Sequence, residues 1–150
     1  MRGFDEAWLK DHLAKRRTER AMPSGPVSFT LRAPFKLLNQ TLKMHFGARG
    51  KYAASLSSEI ASQTAHHEGQ APMSRARVTI ERHSCAEPDQ DGLVGGAKPL
   101  IDCLIVRSKV HPRGLGFILD DRPACLELIV RHVKAKKAEQ RTTVLIEPLA

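Results

Sequence analysis

The residues best suited to chemistry are two pairs of aspartates, Asp89 with Asp91 and Asp120 with Asp121. Asp89-Gln90-Asp91 falls where a predicted strand runs into a turn at Gly92, ahead of a predicted helix. Extended residues at i and i+2 point to the same side, so both carboxylates can face one volume. Two like charges held that close repel, and they persist mainly where a cation neutralises them. Oxygen donors alone suit Mg²⁺, with Mn²⁺ as a substitute, better than zinc. Asp120-Asp121 follows in a later loop, just before another predicted strand. If the two strand ends are neighbours in a sheet, three or four carboxylates converge; if not, each pair is a solvated turn. Between them, Lys98 and Asp102 stand four apart on the predicted helix and so share a face. Lys98 could offset charge building on a phosphoryl oxygen, or simply form a surface ion pair with Asp102.

Other chemistries find less support. Gly92, Gly95 and Gly96 precede Lys98 without the order of a phosphate-binding loop. His66, His67, His83, His111 and His132 lack ligand spacing and read as surface or strand residues. No serine or cysteine sits in a nucleophile motif. Cys85, Cys103 and Cys125 are odd in number and widely spaced, which argues against a disulfide framework and for a reducing cytoplasm.

Several elements must hold these residues in place. Val27, Phe29 and Leu31 alternate with polar residues as a strand ending before Pro34, and Ala76, Val78, Ile80 and Arg82 mark a second strand over 75–84. The stretch 37–50 is ambiguous, whereas 51–64, without Pro or Gly, predicts a helix. Leu93, Val94, Ala97, Leu100, Ile101, Leu104 and Ile105 form a helical apolar stripe, with Pro99 either in its first turn or at a kink. Leu126, Leu128 and Val130 predict a third strand. A basic turn over 134–140 then joins it as a hairpin to a closing strand at Thr142, Val144 and Ile146. The order β-α-β-α-β-β predicts one small mixed α/β domain over 27–150, with two helices packed on a mixed sheet. Residues 1–26 read as an extension, with a short amphipathic helix over 4–20.

The chain has 150 residues and a formal charge of +8, so a polyanionic partner is expected. The charge is uneven. Residues 27–78 carry seven basic and two acidic side chains, a net of +5, whereas 79–150 carry eleven and ten, a net of +1. An acidic cluster therefore lies within a basic chain. No apolar run reaches the roughly 20 residues of a membrane span, and no signal peptide is visible, so a cytoplasmic protein is expected.

Together, Pro88-Asp89-Gln90-Asp91-Gly92-Leu93, then Lys98 and Asp102, then Gly116-Phe117-Ile118-Leu119-Asp120-Asp121, resemble the RusA family of Holliday junction resolvases. The resemblance spans about residues 27–147, with Asn39 standing for an asparagine after the first strand, and its specific part is 88–121. Gly92 replaces the asparagine usual in the family, and two additional residues near Gly95-Gly96 separate the D-x-D from Lys98. The resemblance implies that Asp89, Asp91 and Asp121 hold Mg²⁺ (or Mn²⁺). It makes Lys98 the catalytic lysine, with Asp120 and Asp102 as supporting acids and Asp120 beside the metal. It further implies a homodimer, with no small-molecule cofactor, that nicks four-way DNA by metal-assisted hydrolysis, as in phage and prophage members. Arg32, Lys36, Lys43, Arg49, Lys51, Lys134, Lys136 and Lys137 are the expected phosphate contacts. The alternative is a non-catalytic branched-DNA-binding protein of the same fold.

Overall fold

A computed structural model describes residues 25–150. The expected helix over 4–20, and most of the 1–26 extension, lie outside the described residues. Four strands form one mixed sheet: β1 (Val27–Leu31), β2 (Ala76–Ser84), β3 (Leu126–Lys134) and β4 (Arg141–Pro148). Two helices, α1 (Leu38–Leu42) and α2 (Phe46–Gln63), connect β1 to β2, and α3 (Gln90–Gly96) and α4 (Lys98–Asp102) connect β2 to β3. The expected mixed α/β class is therefore met, with four α-helices among the described residues where two were expected. Among the described residues no helix is long and apolar enough to cross a membrane.

The sheet order is β1-β4-β2-β3, with β2 and β3 parallel and both other pairings antiparallel. This corrects the expected hairpin, because β2 lies between β3 and β4. Residues 135–140 cross the end of β2 instead, held by Ala135 N–H to Ser84 O at 3.1 Å and Cys85 N–H to the Gln140 side chain at 3.3 Å. A six-residue link is long enough, since two strand spacings are only about 10 Å and a residue spans up to about 3.3 Å. Inserting β4 centrally buries its Thr142, Val144 and Ile146 alternation between two neighbours.

One sheet face carries the core. Val27, Phe29, Leu31, Val78, Ile80 and Ile146 pack there against Leu56 and Ile60 of α2, Leu93 of α3, and Leu100 and Ile101 of α4. Each fully buried Leu or Ile contributes about 1.5–3 kcal/mol. The helix α2 starts at Phe46, earlier than expected, because His45 caps it by accepting from Gly47 N–H, so Gly47 and Gly50 do not break it. The apolar stripe from Leu93 is not one helix. It jogs at Ala97, with Pro99 in the first turn of α4, and ends at Asp102, while Leu104 and Ile105 are buried beyond the helix end. Ile105 and Met73 both bridge to Ile118, which fixes the loop carrying Asp120 and Asp121.

The segment 33–37 links sheet to helices. The Thr142 hydroxyl donates to Ala33 O and accepts from Phe35 N–H, both at 2.9 Å. The buried Arg82 guanidinium donates to Phe35 O at 2.7 Å and to the Ser84 hydroxyl at 3.0 Å. The pinned backbone of Lys36 and Leu37 then lies directly under Gly96 of α3.

Candidate active site

The two aspartate pairs are positioned by different devices. Asp89 is the extended N-cap of α3, with its carboxylate accepting from Gly92 N–H at 3.3 Å. Asp91 stands in the first helical turn, so the expected i, i+2 extended arrangement of the pair does not hold. The crowding at position 92 explains why glycine is found there: a Cβ would lie 2.7 Å from Asp89 Oδ1 and would force the cap to rotate away. Asp91 is exposed and, among the described residues, makes no hydrogen bond or ion pair.

From Asp91 the helical chain runs on through α3 into α4. Seven residues later, past the jog at Ala97, comes Lys98, the first residue of α4. Lys98 is the meeting point of the motif segments. Its ammonium pairs with Asp102 at 3.0 Å and makes a short contact with Asp121, across 23 residues of sequence. The expected surface pair with Asp102 therefore forms, and Asp121 joins it. Asp120 is turned away, accepting from Asp121 N–H at 2.8 Å and from Arg122 Nε at 2.7 Å.

The expected convergence of carboxylates is not present in this arrangement. Among the described residues, no three His, Cys, Asp or Glu groups gather to hold a metal ion. Asp89 is engaged as the cap of α3 and Asp121 by Lys98. The donor chemistry is nonetheless all oxygen, as Mg²⁺ or Mn²⁺ requires.

Burial alone would lower the Lys98 pKa, but its hydrogen bonds to Asp121 and Asp102 outweigh that and hold it above the ordinary lysine value. The same ammonium holds the Asp121 carboxyl below the usual aspartate range. The signs give a pH window. Asp121, depressed on folding, contributes stability above its unfolded value near 3.9 and loses it as pH falls through the folded pKa. Lys98, raised on folding, contributes fully below its unfolded value near 10.4 and loses it as pH rises through the folded pKa. The pair should stay ionised throughout the neutral range. Carbon-detected NMR titration should place the Asp121 midpoint below that of an ordinary aspartate, and Lys98→Met should move it up.

His111, expected as a surface or strand residue, instead lies half-buried in a loop beside the site. The 108–111 turn, closed by Ser108 N–H to His111 O at 3.1 Å, brings His111 Nδ1 to 3.6 Å from Asp102 Oδ1. Both atoms are buried and, apart from the Lys98 ion pair, neither has a hydrogen-bond partner. No sequence spacing signals this, because the contact depends on how the loop folds over α4. Lys98 also separates two concavities. A groove of about 600 Å³ lies between the helices and β3, lined by Leu38, Val94, Ile101, Asp121, Leu126 and Leu128. A cavity of about 250 Å³ lies on the other side, with Arg49, Asp102, His111 and Arg113 in its wall. Burial raises the Cys103 thiol to about 11, so it is no nucleophile at neutral pH.

The expected phosphate contacts divide into two groups. Arg49 is used within the fold, donating to the carbonyls of Thr41, Leu42 and Met44 at the end of α1. Lys36 lies 5.7 Å from the Tyr52 ring centre. Arg32, Lys43 and Lys51 are exposed, as are Lys134, Lys136 and Lys137, which lie beside the end of β2, where the chain leaves for Asp89. Asn39 is exposed in α1. In comparisons with known proteins, no family model matches the chain and no curated protein matches it.

Proposed function

We propose that this protein is a Mg²⁺-dependent endodeoxyribonuclease that acts as a homodimer on four-way DNA, with a RusA-like arrangement of its domain. The observation that carries the reading is the Lys98–Asp121 contact. Two sequence segments that resemble the family's motifs, far apart in the chain, meet at the side chains to which the resemblance gives roles. The resemblance assigns Asp89, Asp91 and Asp121 to the metal, although among the described residues they are not gathered into one group; a bound metal would supply Lewis-acid polarisation of a phosphoryl oxygen and a more acidic attacking water. Lys98 holds a positive charge at the groove, positioned by Asp102 and Asp121 to face a phosphodiester. His111 and Arg49 line the second cavity that Lys98 borders.

The test is cleavage by purified protein with Mg²⁺ of a four-way junction, a fork and a linear duplex. Symmetric nicks confined to the junction support the reading, and equal cutting of all three would exclude junction specificity. The second reading, a branched-DNA-binding protein without catalysis, is favoured by Asp89 acting as a cap and Asp121 as a partner of Lys98. It predicts junction binding and no cutting with any divalent ion.

On either reading, binding should be strongly salt-dependent. Replacing Lys134, Lys136 and Lys137 with Gln should reduce the slope of log K against log[salt] by about 1 per lysine. Fluorescence anisotropy with a labelled junction measures this.

A further inference from the structure

The strand β3 lies at the edge of the sheet, and among the described residues no strand pairs with its outer side. It is nine residues long and contains no Pro or Gly. An open edge of that length normally carries a device that blocks further pairing, such as a proline, a bulge or several lysines. Here one lysine stands at its very end, Lys134.

The inner hydrogen bonds define what this edge offers. Ala76 N–H bonds to Cys125 O at 2.9 Å, in the register Ala76 to Leu126. Because the N–H and C=O of one strand residue point to the same side, the odd-numbered residues of β3 turn toward β2. Leu126, Leu128, Val130 and His132 present their polar backbone outward.

We infer that β3 is a self-pairing strand, and that two copies of this chain join antiparallel through it about a two-fold axis at Ile129. The occupant is a second copy because the strand's charges complement themselves in that register. Glu127 falls opposite the partner's Arg131, and Arg131 opposite the partner's Glu127. Within the chain Glu127 already bonds Arg77 at 3.2 Å and Arg131 bonds Glu81 at 3.0 Å. The dimer thus completes an alternating row of Arg77, Glu127, the partner's Arg131 and the partner's Glu81. Opposite charges facing one another across strands are favourable, and like charges are not. The register also places outward-facing Leu128 against the partner's Val130, as a hydrogen-bonded pair requires. Centring the axis on Val130 would place Glu127 against Val133 and Arg131 against Ile129, leaving both charges unmatched.

The pairing has a consequence for the groove. Leu126 and Leu128 line its β3 wall together with Lys98 and Asp121 on the helix-covered side. In the dimer the partner's His132 and the partner's Val130 extend that wall, and the two grooves become related by the axis. The inference gives the homodimer of the proposed function its surface and rests on that reading only for the use of having two sites.

The experiment uses the full chain without DNA or metal, so it fails or succeeds separately from cleavage. Sedimentation equilibrium at high micromolar concentration should give twice the 16.6 kDa chain mass. In a Cys85→Ser, Cys125→Ser background, Ile129→Cys should form a disulfide-linked dimer on mild oxidation, since it faces its own copy across a non-hydrogen-bonded pair. Val130→Cys should link at least about 10-fold more slowly, because its own copy is a diagonal neighbour at about 7–8 Å. Val130→Pro removes an outward N–H that no intrachain bond uses and should convert the dimer to monomer with unchanged circular dichroism. A monomer mass for the unmodified chain overturns the inference. So does a dimer that survives Val130→Pro and forms no disulfide in the Ile129→Cys variant.

Discussion

Asp91→Asn is expected to reduce junction cleavage by at least about 100-fold, a barrier increase of about 2.7 kcal/mol, while leaving the fold and DNA binding intact. The reason lies in how differently the aspartates are used. Asp89 caps α3, Asp121 and Asp102 pair with Lys98, and Asp120 accepts from Asp121 N–H. Replacing any of these changes local structure as well as chemistry. Asp91 is exposed and has no partner among the described residues, so its carboxylate serves no visible structural purpose. Its charge near a helix N-terminus is worth only about 0.3–1 kcal/mol of stability. Loss of cleavage with an unchanged unfolding midpoint would therefore report chemistry. Direct Mn²⁺ titration should show weaker binding in the variant. An unchanged cleavage rate would remove Asp91 from the site and favour the non-catalytic reading.

Gly96→Ala is expected to destabilise the fold by about 2–3 kcal/mol, a typical cost of overpacking. A Cβ there would lie 2.4 Å from Lys36 O and 2.7 Å from Leu37 Cα. Neither neighbour can move aside as a side chain would, because segment 33–37 is tied to the sheet by Thr142 and Arg82. The helix run must lift instead, taking Lys98 with it. Urea unfolding should show the loss of stability, and the Asp121 carboxyl should titrate closer to an ordinary aspartate as its lysine withdraws. Gly95→Ala is the control. Its Cβ meets the Leu38 side chain at 2.8 Å, and a side chain can change rotamer, so the cost should be smaller. The two glycines that separate the D-x-D from Lys98 thus let α3 approach the backbone beneath it.

The strands are largely legible in the sequence. Alternation places the start of β1 at Val27, its observed first residue, and that of β2 within one residue, since burial on one sheet face leaves a period of two in the residue types. The start of α2 is not legible, because Gly47 and Gly50 read as breakers while a histidine cap and Leu56 and Ile60 packed in the core stabilise the helix. The hairpin expectation fails for a related reason. A short basic link between two apolar strands looks the same whether they pair directly or cross over a third strand.

Local periodicity and residue type are enough to read the class of the domain, the residues capable of chemistry and the Lys98–Asp102 spacing. Which of those residues meet depends on long-range packing. Lys98 reaches Asp121 because Ile105 and Met73 bridge to Ile118, and His111 reaches Asp102 because a loop folds over α4. Asp89 and Asp121 are engaged separately, one as the cap of α3 and the other by Lys98. The sheet order, too, is tertiary: β4 and β2 take the two inner positions, which leaves β3 and its complementary charges at an edge. Contacts between segments distant in the chain are set by the packing of a shared core, and no local pattern of residues records them.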